Sequence, residues 1–140
     1  MFWDSSALVP LLLPEPRSNE MASLASLGEV PVVWWASPVE CKSAIYRRHR
    51  EAPMPRSVLD IALERLASFF LYADTVQATE EVRSRAGRLV AVHPLRAADA
   101  LQLAAALVAC AEEPTGEKLV SLDQRLREAA IREGFAVIPN

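Results

Sequence analysis

Four acids stand where a carboxylate could do chemistry: Asp4, Glu40, Asp99 and Asp123. Asp99 is the most informative. Between Ala97 and Ala111 only Asp99 and Gln102 are not apolar, so the helix predicted there is buried on nearly every side. A lone carboxylate in that setting is costly unless it is paired, hydrogen-bonded, protonated or coordinated. A first-turn acid is also stabilised by the helix N-terminus, by about 0.3–1 kcal/mol, and this structural reading stands level with a functional one. Glu40 completes a capping box opened by Ser37, and Asp123 can cap the helix that follows it, so each alone would be structural. Asp4 precedes Ser5 and Ser6, either of which could cap the next helix without adding a charge.

The elements that must position these acids give the set its meaning. Phe2-Trp3 predicts a strand end passing directly into a helix from Ser5, limited by Pro10, Pro14 and Pro16. A second helix is predicted from Ser18 to about Leu27, where Gly28 can stop it. Val30 to Trp35 is a β-branched and aromatic run of strand length, and Ser37-Pro38-Val39-Glu40 opens a helix toward Arg50. Ser57 to Phe70 and Ala78 to Arg88 have helical apolar spacing and are joined by a short linker. The apolar helix from Arg96 to Ala111 follows, then a strand over Lys118 to Leu122, a helix to Glu133 stopped by Gly134, and a last strand from Phe135 to Ile138.

Strands alternating with helices predict a three-layer α/β/α sandwich around a small parallel sheet, as one domain over residues 1–140. Ligands of such sheets gather beyond the carboxyl ends of the strands, where Asp4 and Asp123 are expected. Glu40 and Asp99, in the opening turns of helices, share that rim. Three or four carboxylates on one rim repel each other, and a divalent cation is the usual remedy. Oxygen ligands without thiols or clustered histidines select Mg²⁺ or Mn²⁺ over Zn²⁺.

Composition narrows the setting. The chain is 51% hydrophobic and 24% charged, enough for a real core without a disordered signature. A formal net charge of −3 offers no global attraction to phosphate polymers, so a nucleic-acid function would need local basic patches or bound cations. Cys41 and Cys110 make neither a metal spacing nor a disulfide framework and read as reduced thiols. With no basic leader, and no apolar run of the roughly 20 residues a membrane span needs, the expectation is a soluble, cytoplasmic protein.

The run Phe2-Trp3-Asp4-Ser5-Ser6-Ala7-Leu8-Val9 resembles the opening of PIN domains. Glu40 after the Trp34-Trp35 strand, Leu95 through Ala106 around Asp99, Leu119 through Leu126 around Asp123, and the ending Gly134-Phe135-Ala136-Val137-Ile138-Pro139 are similar to the remaining motifs. The resemblance spans essentially the whole chain, its third motif is the most specific, and it is closest to VapC-type toxins of bacterial toxin–antitoxin pairs. It implies a metal-dependent endoribonuclease using one or two Mg²⁺ or Mn²⁺ ions. Asp4 and Asp99 would be primary ligands, with Glu40 and Asp123 completing the cage or taking a proton, and Ser6 and Ser121 occupying the hydroxyl positions beside the acids. It further implies an RNA substrate, a small cognate antitoxin, and a homodimer.

Around this centre, Lys42, Arg47, Arg48, Arg50 and Arg56 form the densest basic stretch; a solvated helix face is the default and an RNA-backbone contact the second reading. Arg96, Arg125 and Arg127 flank the acids and could hold phosphate. Trp3, Trp34 and Trp35 read as core, His49 as an exposed helix residue and His93 as a turn residue. The helix over Ser57–Phe70 could supply a groove or dimer surface as readily as core. A haloacid-dehalogenase-like phosphatase would want aspartate where Ser6 stands, and a receiver domain an aspartate after the Val32–Trp35 strand. A non-catalytic PIN-fold binding module is the rival from another class, and the complete acid set counts against it.

Overall fold

The computed structural model describes residues 1–140. Strand β1 (Phe2–Trp3) leads through Asp4 into α1 (Ser5–Leu12) and α2 (Ser18–Ala25); β2 (Val32–Trp34) is followed by α3 (Ser37–Glu51) and α4 (Arg56–Tyr72). Then come β3 (Asp74–Val76), α5 (Glu80–Val92), α6 (Ala97–Ala109), β4 (Lys118–Val120), α7 (Gln124–Glu133) and β5 (Ala136–Ile138). All five strands are parallel, in the order β3-β2-β1-β4-β5.

Side-chain alternation along these short strands builds the two cores. Phe2, Trp34 and Leu119 point into one cluster with α5, α6 and α7. Trp3, Val33 and Val120 point to the opposite face, against Leu8 and Leu12 of α1, Met21 of α2, Cys41 and Ile45 of α3, and Ala62 and Leu66 of α4. Two helical layers enclose one sheet, which is the expected α/β/α sandwich.

Strand order fixes where a ligand crevice must open. The chain leaves β1 toward β2 and β3 on one side and returns to fill β4 and β5 on the other. Connections from neighbouring strands β1 and β4 therefore diverge, opening a crevice at their carboxyl ends. Phe2 pairs with Leu119 and Trp3 with Val120, and the Asp4 N–H donates to the Val120 carbonyl at 3.0 Å.

Several expectations need correction. The chain between α4 and α5 holds strand β3, whose three residues Asp74-Thr75-Val76 carry no apolar alternation and pair at the sheet edge with Val32, Val33 and Trp34. Pro10 lies inside α1 rather than ending it; its ring is buried, and the Ser6 carbonyl loses its intrahelical donor. The capping box at Ser37 does not form: Ala36 is the N-cap of α3, without a side-chain cap, and Ser37 turns inward instead. Gly134, at φ 107°, closes α7 as expected.

Candidate metal centre

The crevice is built from the β1 end outward. Asp4 is only 4% exposed and caps α1, so it performs the role that Ser5 or Ser6 was expected to take. Its Oδ2 accepts from the Ser6 N–H at 3.2 Å, from Ser121 Oγ at 2.9 Å, and from the Ser6 hydroxyl. Ser6 Oγ in turn accepts the backbone N–H groups of Leu122 at 2.8 Å and Asp123 at 3.2 Å, and Ser121 Oγ accepts that of Asp123 at 3.1 Å. These two hydroxyls bind the turn after β4 to the turn after β1. The position of Asp123 is thus coupled to that of Asp4.

Asp123 caps α7, with Oδ1 accepting the Leu126 N–H at 2.9 Å, as the sequence allowed. Asp99 sits half-buried in the first turn of α6, which is open to solvent at Ala97 and Ala98 and closes over only from Ala100 onward. Glu40, also half-buried, does not cap α3. Its Oε1 accepts from Gln102 Nε2 at 3.1 Å across the crevice.

Electrostatics tie the four together. Burial pushes Asp4 up to about 6, the hydrogen bonds from Ser6 and Ser121 oppose the shift, and repulsion from Asp123 adds to it. Burial likewise pushes Glu40 up to about 7; Asp4 and Asp99 repel its charge, while hydrogen bonds from Gln102 and Ser5 favour it. Asp99 is raised by burial and by Asp123, against the opposing pull of Arg96 and Arg125. Each acid thus feels another member of the set, and no lysine, arginine or histidine forms a salt bridge with any of them.

The donor chemistry suits a hard divalent cation: carboxylates and hydroxyls, no histidine and no reactive thiol. The nearest cysteine, Cys41, is buried, with its thiol pushed up to about 12 by burial and by the charges of Glu40 and Asp4. No three of these side chains are spaced to hold a metal ion together. Three of the acids lean on local donors: Asp4 on two serines, Glu40 on Gln102 and Asp123 on the start of α7.

The surrounding basic residues divide. Arg96 and Arg125 are exposed and their charges act on Asp99. Arg127 is spent on structure, donating to the carbonyls of Ser121 and Pro139 at 2.7 Å each. Arg48 pairs with Glu15, whereas Lys42 and Arg47 are exposed on α3. Arg47 lies seven residues beyond Glu40, on the same helical stripe and roughly 10 Å along it. Trp3 and Trp34 are core as expected, but Trp35 is 56% exposed because it follows the last paired residue of β2. His93 is buried against Glu133 rather than sitting in an open turn, and His49 is half-buried, accepting the Met54 N–H on Nδ1. Sequence reasoning passed over Gln102, Ser5 and Ser37, the buried polar groups beneath Glu40. The available signal was Gln102 itself, one helical turn beyond Asp99 and the only other polar residue of that stretch.

Fold and acid set together define a class, and the comparisons agree. A family model described as "PIN domain" matches residues 1–132, and the chain belongs to the PIN domain family. It is similar to Ribonuclease VapC45 of Mycobacterium tuberculosis (strain CDC 1551 / Oshkosh), at 30% identity over 139 residues, 99% of this chain and 94% of that protein. Ribonuclease VapC49 of Mycobacterium tuberculosis (strain ATCC 25618 / H37Rv) is similar to the same degree and extent. Among solved structures, FitAcB from Neisseria gonorrhoeae shares the fold with a TM-score of 0.66 at 17% identity, over 99% of this chain and 96% of that one.

Proposed function

We propose that this chain is a metal-dependent endoribonuclease, the toxin of a toxin–antitoxin pair, with residues 1–140 forming one nuclease domain. What supports the catalytic reading is that Asp4 follows β1, Asp123 follows β4 beside it, and Glu40 and Asp99 each feel the charge of another of the four, with no basic side chain in salt-bridge contact with any of them. Naming RNA as the substrate rests on the two ribonuclease relatives.

Asp4 and Asp99 would be the primary ligands, with Glu40 and Asp123 completing the set around one or two Mg²⁺ or Mn²⁺ ions. Such ions supply positive charge at the scissile phosphate and lower the pKa of water for in-line attack. Ser6 and Ser121 hold Asp4 and Asp123 in mutual register. Glu40, raised toward neutrality, is suited to accept a proton from the attacking water. Arg96 and Arg125 screen Asp99 and would help hold an incoming phosphate; Lys42 and Arg47 extend the basic surface along α3 for an RNA backbone. Water is the nucleophile in this scheme.

The antitoxin is assigned to the groove between α1, α2 and α4. It has a volume of about 770 Å³ and is lined by Leu11, Leu12, Ala25, Ile61 and Phe69, with Glu64 and Arg65 at hand. Helix α4 thus serves both ways: Ala62 and Leu66 pack into the core, Ile61 lines the groove, and Phe69 lines it while packing edge-on against Trp3. A homodimer and a cytoplasmic location complete the proposal; no helix is long and apolar enough to cross a membrane.

A cleavage assay on single-stranded RNA tests the enzyme. Wild-type protein should cut with Mn²⁺ or Mg²⁺ and not with EDTA, and Asp4→Asn and Asp99→Asn should not cut. Cleavage that survives either substitution refutes the site. Expression should arrest growth, relieved by a co-expressed small neighbouring gene; unimpeded growth in a permissive host counts against the toxin role and leaves the nuclease standing.

A further inference from the structure

Beneath Glu40 lies a polar cluster that stability alone does not explain. Gln102 is 1% exposed, in a helix whose buried positions are otherwise alanine and leucine. Its Nε2 lies 2.8 Å from Ser5 Oγ, 2.9 Å from Ser37 Oγ and 3.1 Å from Glu40 Oε1. A side-chain amide has two N–H hydrogens, so three acceptors compete for two donors. Its carbonyl Oε1 is buried with no partner. A buried amide with an idle carbonyl is a worse core group than leucine or methionine would be. Its position therefore points to a task beyond packing.

We infer that Gln102 is a positioning residue, anchored by Ser5 of α1 and Ser37 of α3, that holds the Glu40 carboxylate over the acidic crevice ready for a cation. With nitrogen toward Glu40, the ionised form is favoured and the long, half-exposed side chain is tethered. Gln102 thereby links three elements, α1, α3 and α6, whose first turns carry Ser5, Glu40 and Asp99.

This inference rests on the metal-centre reading above, and the experiment separates the two. Mn²⁺ is titrated calorimetrically into wild-type protein and Gln102→Met at pH 7.5, with parallel thermal melts in EDTA. Methionine keeps length and volume but donates no hydrogen bond. The expected result is a Kd for Mn²⁺ raised about tenfold or more, as for other residues that orient metal ligands, with the metal-free melting temperature shifted by only a few degrees. Gln102→Asn, one methylene too short to span α1 and α3, should show the same loss and covers the case in which methionine impairs folding. A Kd within twofold of wild type in whichever variant folds, whatever its melting temperature, overturns the role of Gln102 while leaving the centre intact. A wild-type chain that binds no Mn²⁺ overturns the centre and this inference with it.

Discussion

Helices α6 and α7 each carry an acid at both ends, and the two ends are treated in opposite ways. At their starts, Asp99 and Asp123 face Asp4 and Glu40 with no basic partner within salt-bridge distance. At the other ends, Glu112 just past α6 and Glu133 closing α7 meet Arg85 and His93. Arg85 Nε lies 3.0 Å from Glu112, its Nη2 is 3.3 Å from Glu133, and His93 Nε2 is 2.6 Å from the other Glu133 oxygen. The Arg85–Glu112 contact is an ion pair without hydrogen-bond alignment: the Arg85 Nε–H donates to no acceptor. A carboxylate at a helix C-terminus opposes the helix dipole, and Arg85 and His93 offset it; carboxylates at the N-termini are favoured by the dipole but stacked against each other. The same fold pairs charges at one end of these helices and leaves them unpaired at the other. Burial and mutual repulsion, together with the missing basic partner, set the crevice acids apart from the other acids of the chain.

Substitutions should expose that contrast. The largest effect is expected at the unpaired end: Asp99→Asn should lower Mn²⁺-dependent RNA cleavage at least roughly a hundredfold, because a primary ligand and its charge are lost, while the melting temperature in EDTA holds or rises. At the paired end the pattern should invert. Arg85→Ala leaves Glu112 without a partner and Glu133 with His93 alone, and should cost about 1 kcal/mol in urea denaturation, with kcat per folded molecule unchanged. Equal behaviour of the two variants would erase the distinction between the ends.

A pH dependence follows from the metal-free crevice. Asp4 is raised from 3.8 to about 6 and Glu40 from 4.5 to about 7, so between about pH 4 and 7 the folded chain binds more protons than the unfolded one. These groups therefore remove stability as pH rises through that window. For the buried Asp4 the loss is on the order of 3 kcal/mol. Denaturation in EDTA should show a fold more stable at pH 5 than at pH 8, Asp4→Asn should flatten the slope, and Mn²⁺ should restore stability at pH 8 by binding the folded state. The smallest effect is expected at the exposed cations: Arg96→Ala or Arg47→Ala should raise KM several-fold with kcat nearly kept, and reduce the salt dependence of RNA binding by about one phosphate contact.

Most of this architecture was legible because the acids sit at punctuation points. Asp4 and Asp123 follow apolar strands, and Glu40 and Asp99 open helices, so alternating strand and helix patterns lead to the expectation that all four share the rim at the strands' carboxyl ends. What was hidden depends on contacts between distant segments. Strand β3 exists only because Asp74-Thr75-Val76 can pair with β2; one exposed and two half-buried residues show no period of their own. The Ser37–Glu40 capping pattern was read locally, whereas Gln102, sixty-two residues beyond Glu40, claims both side chains. Arg127 looked like a phosphate ligand until its two carbonyl partners were seen, one of them at Pro139 in the chain's last turn. Trp35 differs from Trp34 only in lying one step past the paired strand, and that step carries it from core to surface.

The central claim is that four repelling carboxylates form one cation site, and crystals soaked in Mn²⁺ test it most directly. An anomalous difference map should place manganese roughly 2.0–2.6 Å from oxygens of Asp4 and Asp99, with Glu40 and Asp123 around it. Manganese bound elsewhere, or a crevice that stays free of it at millimolar concentration, would contradict the account.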